Sequence, residues 1–199
     1  MLLHASFLYI SAVFAFGDST VDTGNNNNRK TPFKANHWPY GYDFPGHVPS
    51  GRCSNGKLIP DFEVSLLGIK DLLPAYLDPM VTDKDLITGV SFASAGCGLD
   101  TLMDHVYNVI NMSTQLDYFN ECLDRIRRIA GSSVATNIVE NSLIIISAGS
   151  VDMCLLTMMY LLGVFDIQFQ LIKISSLETF NPLFKTHIFI PCFPFIRNR

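Results

Sequence analysis

The stretch VFAFGDSTVDTGNNNN, residues 13–28, decides how the fold of this chain is read. Its first four residues form a short apolar run, typical of a buried strand, and the turn Gly17-Asp18-Ser19 follows at once. Open α/β sheets bind ligands where such turns leave the carboxyl ends of strands. Gly17 allows a sharp bend, Asp18 can accept backbone N–H groups, and Ser19 would lie where neighbouring amides stabilise negative charge. From these residues alone, the stretch is either a reactive site or a polar turn. In the second case Asp18 and Ser19 only cap the turn, and the asparagines are only turn residues.

An apolar run that ends in small residues occurs twice more along the chain. Val90–Ala93 leads into SAGCG, and Leu143–Ser147 leads into AGSVD. Two helical segments lie between the three runs, at Lys57–Leu67 and Thr114–Ala130, and a glycine follows each of them. Strands that alternate with helices in this way predict an α/β domain with a parallel sheet.

The second helical segment has the clearer periodicity. Thr114 and Asp117 are spaced as a capping pair that would start the helix, and Gly131 would end it. Apolar residues recur at helical spacing, which predicts one face packed against the core. The residues of that face are Leu116, Phe119, Leu123, Ile126 and Ile129.

Composition limits the class of protein. A chain of 199 residues with 48% hydrophobic content suits one domain with a packed core. The net charge of -4 and the 16% of charged residues do not give the basic field that nucleic-acid binding needs. Five cysteines without a CxxC spacing indicate neither a zinc site nor a dense disulfide framework, although one or two bridges stay open. We therefore expect no metal and no cofactor.

The N-terminus carries an uncharged apolar stretch, Leu2–Phe16, which His4, Ser6 and Ser11 interrupt. It can be a secretory segment, a strand, or both in succession, and it is too short to span a membrane as a helix. No basic residue precedes it, which is atypical of a signal peptide. We assign residues 1–12 as a candidate signal peptide or its remnant and expect an extracellular location.

The loop His37–Arg52 combines four aromatic residues with three prolines and three glycines. Such a segment is too broken for a regular element but has enough contact surface to line a pocket. It is predicted either as a packed connecting loop or as a pocket wall.

Five blocks of this sequence resemble plant GDSL esterase/lipases in order and spacing. The blocks are FAFGDSTVDTGNNNN, YGYDFPGHVPSGRCSNGKLIPDF, LLPAYLDP, LITGVSFASAGCG and LIIISAGSVD. The resemblance covers residues 13–154 and implies an SGNH hydrolase, with a flavodoxin-like three-layer α/β/α fold and a parallel sheet. It also implies substrates that are small-molecule or lipid esters. Residues 155–199 contain no such block, so we expect a divergent tail on a C-terminally truncated or divergent member.

The resemblance implies roles for particular residues. Ser19 matches the nucleophile that attacks an ester to form an acyl-enzyme, and its own N–H and that of Gly96 match two donors of the oxyanion hole. The family's third donor is the asparagine of Gly-x-Asn-Asp, where this chain has Val151. Valine cannot donate a hydrogen bond. Residues expected to support the turns are Gly17, Asp18, Gly149 and Asp152.

The family's base comes from an Asp-x-x-His segment, which this sequence lacks. The last histidine, His187, has Phe184 three positions before it instead of a carboxylate. His37 and His47 lie in the aromatic loop. Two interpretations therefore stay open: an ester hydrolase that uses Ser19, or a family remnant without catalysis that binds a small molecule or lipid or forms an unstable fragment.

Overall fold

The computed structural model of the protein describes residues 9–98, 106–152, 154 and 187–191, the last range as backbone. The strands are β1 (Ala12–Gly17), β2 (Ser142–Ala148) and β3 (His187–Pro191). The helices are α1 (Ile59–Leu66), α2 (Asp83–Thr88), α3 (Met112–Ala130) and α4 (Ser132–Glu140). This order of elements confirms the prediction of an α/β fold.

The sheet is parallel, with strand order β1-β2-β3. In register, Ala12 lies opposite Ser142 and Ile144 lies opposite His187, so β2 is paired on both sides. The predicted strand Val90–Ala93 is reduced to two isolated parallel bridges, which Ser91 makes with Ala15 and with Ala75. The side-chain amide of Asn25 also bonds to the carbonyls of Ser91 and Ala93.

Side chains of β1 alternate between two hydrophobic clusters, because successive residues of a strand point to opposite faces. Phe14 and Phe16 pack edge-on against Phe119 of α3, with ring centroids 5.3 and 5.6 Å apart. Val13 and Ala15 belong to the other cluster, which includes Val64 of α1. The apolar run that begins the motif is therefore buried on both sides, which fixes the position of the turn that follows it.

The ends of the helices differ in part from the prediction. Gly68 follows α1 with a φ of +68°, and Gly131 follows α3 with a φ of +90°, as their positions in the sequence predicted. The capping pair at Thr114 was wrong, because α3 already begins at Met112 with Asn111 as its cap. The Oδ1 atom of Asn111 accepts the N–H of Thr114 at 2.7 Å.

Two positions on α3 also differ from the predicted face. Ile129 is 41% exposed, whereas Gln115 is fully buried. The buried face of α3 is thus rotated slightly from the predicted face, and the last turn of the helix lies outside the core.

Several predictions fall on segments outside the described residues. These segments are 1–8, which hold most of the candidate signal peptide, and 155–186 and 192–199, which hold most of the predicted tail. The division at residue 154 stays a prediction. Within the described part of the chain, no helix is both long enough and apolar enough to cross a membrane.

Candidate active site

Three segments that are distant in sequence meet at the carboxyl end of β1. The carbonyl of Gly17 accepts the N–H of Ser94 at 2.9 Å, and the N–H of Asp18 donates to the carbonyl of Ser147 at 3.2 Å. All three turns that the sequence singled out therefore lie at one edge of the sheet.

The carboxylate of Asp18 ties two of these turns together. It is fully buried and accepts the N–H of Thr20 at 3.0 Å and the hydroxyl of Ser147 at 3.1 Å. Its other oxygen accepts the hydroxyl of Ser150, the residue at which the chain becomes helical after β2. Hydrogen bonds from the ends of both β1 and β2 thus hold Asp18, the residue before Ser19.

Ser19 itself is half-buried, beside this anchored carboxylate. Within the described residues, neither its hydroxyl nor its backbone N–H makes a hydrogen bond. The N–H of Gly96 is also without a partner there, and Gly96 lies in the turn that the Cys97 N–H closes on the Ser94 carbonyl at 3.0 Å. Hydrogen-bond donors near the carboxyl ends of two neighbouring segments are therefore available to a ligand.

Gly96 also has a packing role. Its φ is +85°, and a Cβ atom there would lie 2.5 Å from a ring carbon of Phe33. Both facts require glycine at this position, whatever its N–H does.

Gly17 is held by a residue that sequence analysis did not identify. The Oε1 of Gln115 accepts the Gly17 N–H at 2.7 Å, and its Nε2 donates to the Gly17 carbonyl at 3.0 Å. Gly17 has a φ of +124°, and a Cβ there would lie 1.8 Å from the carbonyl oxygen of Ser147. The sequence does contain an indication of this role, because Gln115 is a polar residue on the predicted apolar face, one turn before Phe119.

Asp22 forms a second buried anchor after the turn. Its carboxylate accepts the N–H groups of Gly24, Asn25 and Ala95, each at 2.8 Å. Burial raises the pKa of Asp22 to about 6, against the opposing effect of these three N–H groups and of the Arg52 charge. The carboxylate thus links the asparagine run to the turn that contains Gly96.

Two residues of the asparagine run are buried clamps, not an ordinary polar turn. Asn25 bonds the carbonyls of Ser91 and Ala93 and accepts the N–H of Leu77 at 3.0 Å. Asn26 donates to the carbonyl of Ala95 at 2.9 Å. The side-chain amides therefore fasten this loop to the neighbouring segment.

The turn after β2 is more open. A Cβ on Gly149 would meet nothing within 4 Å in the described residues, and Val151 beyond it is half-buried. Asp152 is buried, and its Oδ1 would lie 2.9 Å from a Cβ on Gly98. Its carboxylate therefore packs against the glycine-rich turn of the second segment.

Neither described histidine side chain is buried. His37 and His47 are exposed, and their Nδ1 atoms lie 2.9 and 2.6 Å from the backbone carbonyls of Trp38 and Tyr42. His187 belongs to β3, while His4 and His105 lie outside the described residues. Among the described side chains, no group of histidine, cysteine and carboxylate residues could hold a metal ion.

The thiol of Cys53 does not compete with Ser19 as a nucleophile. Burial, and then the charges of Asp22 and Asp18, raise the pKa of Cys53 to about 12. The thiol stays protonated near neutral pH, and the thiolate is the reactive form.

Comparisons with known proteins agree with the resemblance of the sequence blocks. The family model described as GDSL-like Lipase/Acylhydrolase matches residues 13–177, a range that continues past residue 154. The chain is 51% identical over 141 residues to GDSL esterase/lipase At1g06990 of Arabidopsis thaliana, covering 71% of this chain and 39% of that protein. It is 45% identical over 181 residues to GDSL esterase/lipase At2g40250 of the same plant, covering 91% and 48%. The chain thus spans less than half the length of these relatives, and no solved structure matches it.

Proposed function

Because this chain belongs to the GDSL-like lipase/acylhydrolase family, a family of ester hydrolases, we propose that it carries the nucleophile of a serine esterase, Ser19. One observation carries the proposal. The hydroxyl of Ser19 has no hydrogen bond in the described residues, whereas Gly17 and Asp18 before it are held by at least two bonds each. A serine that merely capped this turn would use its hydroxyl on the backbone.

The proposed reaction proceeds through an acyl-enzyme. The Oγ of Ser19 forms a bond to the ester carbonyl carbon, the π electrons move to the carbonyl oxygen, and the hydroxyl proton passes to a base. Collapse of the tetrahedral intermediate releases the alcohol, and water then releases the carboxylic acid. The substrates would be small-molecule or lipid esters, the class that the family's name describes.

The oxyanion would receive two backbone hydrogen bonds. The proposed donors are the N–H groups of Ser19 and Gly96, neither of which has a partner in the part of the chain that the structure describes. Val151 takes the place of the family's asparagine and supplies no third donor. Loss of one such donor commonly lowers kcat by about 10²–10³-fold, so the proposed activity is weak.

The base is the second reason to expect weak turnover. None of the five histidines of this sequence has an aspartate three positions before it. Without a positioned base, the serine hydroxyl keeps its ordinary high pKa and attacks slowly near neutral pH. Added imidazole would then supply the missing proton acceptor and raise the rate.

The test is hydrolysis of p-nitrophenyl butyrate by the purified chain, with and without imidazole. We expect turnover above background that is lost in Ser19→Ala and kept in Ser113→Ala, an exposed serine of α3. Imidazole alone also cleaves this ester, so the informative quantity is the difference between the wild type and Ser19→Ala. Equal rates in those two folded proteins would refute the proposal.

A second candidate function is binding of an ester or lipid without catalysis. The valine at position 151 and the lack of an Asp-x-x-His segment favour it. If the chain only binds esters, p-nitrophenyl butyrate should compete with a fluorescent ester for the site, and no p-nitrophenol should be released. Loss of that competition in a bulky variant such as Ser19→Phe would place the ligand at the same turn.

We also propose the three-layer SGNH fold and secretion for this protein. Family membership and the helices packed around the sheet support the fold. The apolar stretch Leu2–Phe16 supports secretion. Expression with a C-terminal tag in plant cells would test it, since a secreted protein accumulates in the medium or the cell wall.

A further inference from the structure

The peptide unit between Ala95 and Gly96 has two polar groups with different roles. Its N–H belongs to Gly96 and is the proposed second donor of the oxyanion hole. Its carbonyl belongs to Ala95 and accepts Nδ2 of Asn26 at 2.9 Å. Because a peptide unit is planar, and this one is trans, the carbonyl and the N–H point in opposite directions and rotate together. A bond that fixes the Ala95 carbonyl therefore also fixes the direction of the Gly96 N–H.

Ala95 is held at both of its polar groups by the loop that follows Ser19. The Asp22 carboxylate accepts the Ala95 N–H at 2.8 Å, while Asn26 binds the Ala95 carbonyl. Asp22 is fully buried, and Asn26 is only 2% exposed. Water therefore does not compete for these bonds, and the two peptide units that flank Ala95 are both fixed.

The partners of the Asn26 amide determine its orientation. Its nitrogen lies 2.9 Å from the carbonyl oxygens of both Ala95 and Phe33, which can only accept a hydrogen bond. Its Oδ1 lies 2.6 Å from the hydroxyl of Ser94, and that hydroxyl also accepts the N–H of Ile110 at 3.0 Å. The single proton of the Ser94 hydroxyl is thus donated to Oδ1 of Asn26, which leaves the amide one orientation.

The same amide also holds the residue that packs on Gly96. It donates to the carbonyl of Phe33, and a ring carbon of Phe33 would lie 2.5 Å from a Cβ at Gly96. The ring therefore lies directly against the Cα atom of Gly96. Asn26 thus restrains Gly96 through its preceding carbonyl and through the ring that covers it.

We propose that Asn26 is a positioning residue for the oxyanion hole and acts through the peptide unit of Ala95 and Gly96. It directs the Gly96 N–H before any ester binds, so the donor does not need to reorganise as negative charge develops. A hydrogen bond to the carbonyl of a peptide unit also polarises its N–H, which strengthens the bond that this N–H can make. The inference rests on the proposed esterase function, since it requires Ser19 as the nucleophile and Gly96 as a donor.

Asn25 provides a matched control for Asn26. It is the neighbouring residue of the run, is 1% exposed, and donates to the carbonyls of Ser91 and Ala93 at 2.9 and 2.8 Å. Neither carbonyl belongs to the peptide unit that carries the Gly96 N–H. Alanine at either position therefore removes two bonds to backbone carbonyls, but only Asn26→Ala frees the proposed oxyanion donor to rotate.

The experiment measures the labelling of Ser19 by diethyl p-nitrophenyl phosphate. The Oγ of Ser19 forms a bond to phosphorus, p-nitrophenolate leaves with its bonding electrons, and the hydroxyl proton passes to the buffer. The phosphoryl oxygen takes the place of the ester carbonyl oxygen, so the labelling rate depends on the oxyanion hole. Mass spectrometry of the intact chain measures the adduct even where labelling is slow, and Ser19→Ala gives the background.

We expect Asn26→Ala to lower the maximal rate of labelling by about 10–100-fold, with little change in the half-saturating concentration of the reagent. Asn25→Ala should lower the Tm by a similar amount but leave the labelling rate close to that of the wild type. Equal losses of rate in the two folded variants would show that both asparagines serve only the fold, and would overturn this inference alone. Equal labelling of the wild type and Ser19→Ala would refute the proposed nucleophile, and this inference with it.

If Asn26→Ala does not fold, Ser94→Ala takes its place. This variant removes the hydroxyl that orients the Asn26 amide and keeps both carbonyl partners of that amide. We expect labelling to be several-fold slower than in the wild type, and the amide proton NMR signal of Gly96 to move less on labelling. A labelling rate and a Gly96 signal that both match the wild type would overturn the inference.

Discussion

Gln115 contacts both polar groups of the Gly17 backbone, accepting the N–H at 2.7 Å and donating to the carbonyl at 3.0 Å. One side chain of α3 thereby fixes the residue where β1 turns towards Ser19. The same amide also donates to the carbonyl of Ile110 at 3.0 Å.

Replacing this amide should destabilise the fold. In Gln115→Leu the buried Gly17 N–H loses its partner, and the carbonyl of Ile110 loses a bond as well. Each buried group left unpaired costs about 1–3 kcal/mol, so we expect the free energy of unfolding to fall by about 3 kcal/mol. Urea denaturation measures it, with Asn120→Leu on the exposed face of α3 as the control. A loss no larger than that of the control would contradict the role of Gln115.

Two glycines with positive φ should respond differently to alanine. Gly17→Ala adds strain and also a Cβ that lies 1.8 Å from the Ser147 carbonyl oxygen. Gly131→Ala adds strain alone, since nothing described lies within 4 Å of its Cβ position. We expect a cost of about 1–3 kcal/mol for Gly131→Ala and more than about 4 kcal/mol for Gly17→Ala. Thermal unfolding of both variants tests this, and similar Tm values would show that β2 moves aside easily.

Restoring the third oxyanion donor should raise the activity. The half-buried Val151 is replaced by asparagine, whose amide can donate to the developing negative charge. If the hole forms as proposed, kcat for p-nitrophenyl butyrate should rise by about 10²–10³-fold. Val151→Leu, which has nearly the shape of asparagine, should not reproduce the gain. Equal rates in the two variants would mean that residue 151 does not reach the oxyanion.

The ionisation of Asp22 predicts a pH dependence of stability. Its pKa is raised to about 6 in the folded state, mainly by burial, from 3.8 in the unfolded chain. The folded state therefore holds this proton more tightly, so the contribution to stability is complete below pH 3.8 and is lost as the pH rises through 6.

The variant Asp22→Asn isolates this contribution, because asparagine does not titrate. The unfolding free energy of the wild type minus that of the variant should decrease by roughly 2 kcal/mol between pH 4 and pH 7. Urea denaturation across that range provides the measurement. An increase instead would mean that the three backbone N–H groups outweigh burial and lower the pKa of Asp22.

Strands β1 and β2 and the turn at Ser19 could be predicted from the sequence because they depend on local signals, whereas β3 lies in the segment that we expected to be a divergent tail. Val13–Phe16 is an apolar run that ends at a glycine, and its burial follows from composition alone. The start of α3 could not be predicted as well, since Asn111 and Thr114 can each cap a helix and the structure uses Asn111.

The polar interior of the site was harder to predict. Apart from a few local contacts, the bonds of Asn25, Asn26 and Gln115 join residues that are 52 to 98 positions apart. An asparagine in a turn and one that clamps a neighbouring segment look the same in a sequence. Only the tertiary structure distinguishes them, because the carbonyls they bind come from elsewhere in the chain.

The bond from Ser147 to Asp18 spans 129 residues, and it has a consequence for synthesis on the ribosome. The segment that carries Ser19 leaves the exit tunnel early, but its anchors at the end of β2 emerge only after most of the described chain has been translated. Contacts of such long range form late because the chain between them must first be ordered. A nascent chain stalled before Ser142 should therefore expose the Ser19 turn to protease, and one extended well beyond Ser150 should protect it.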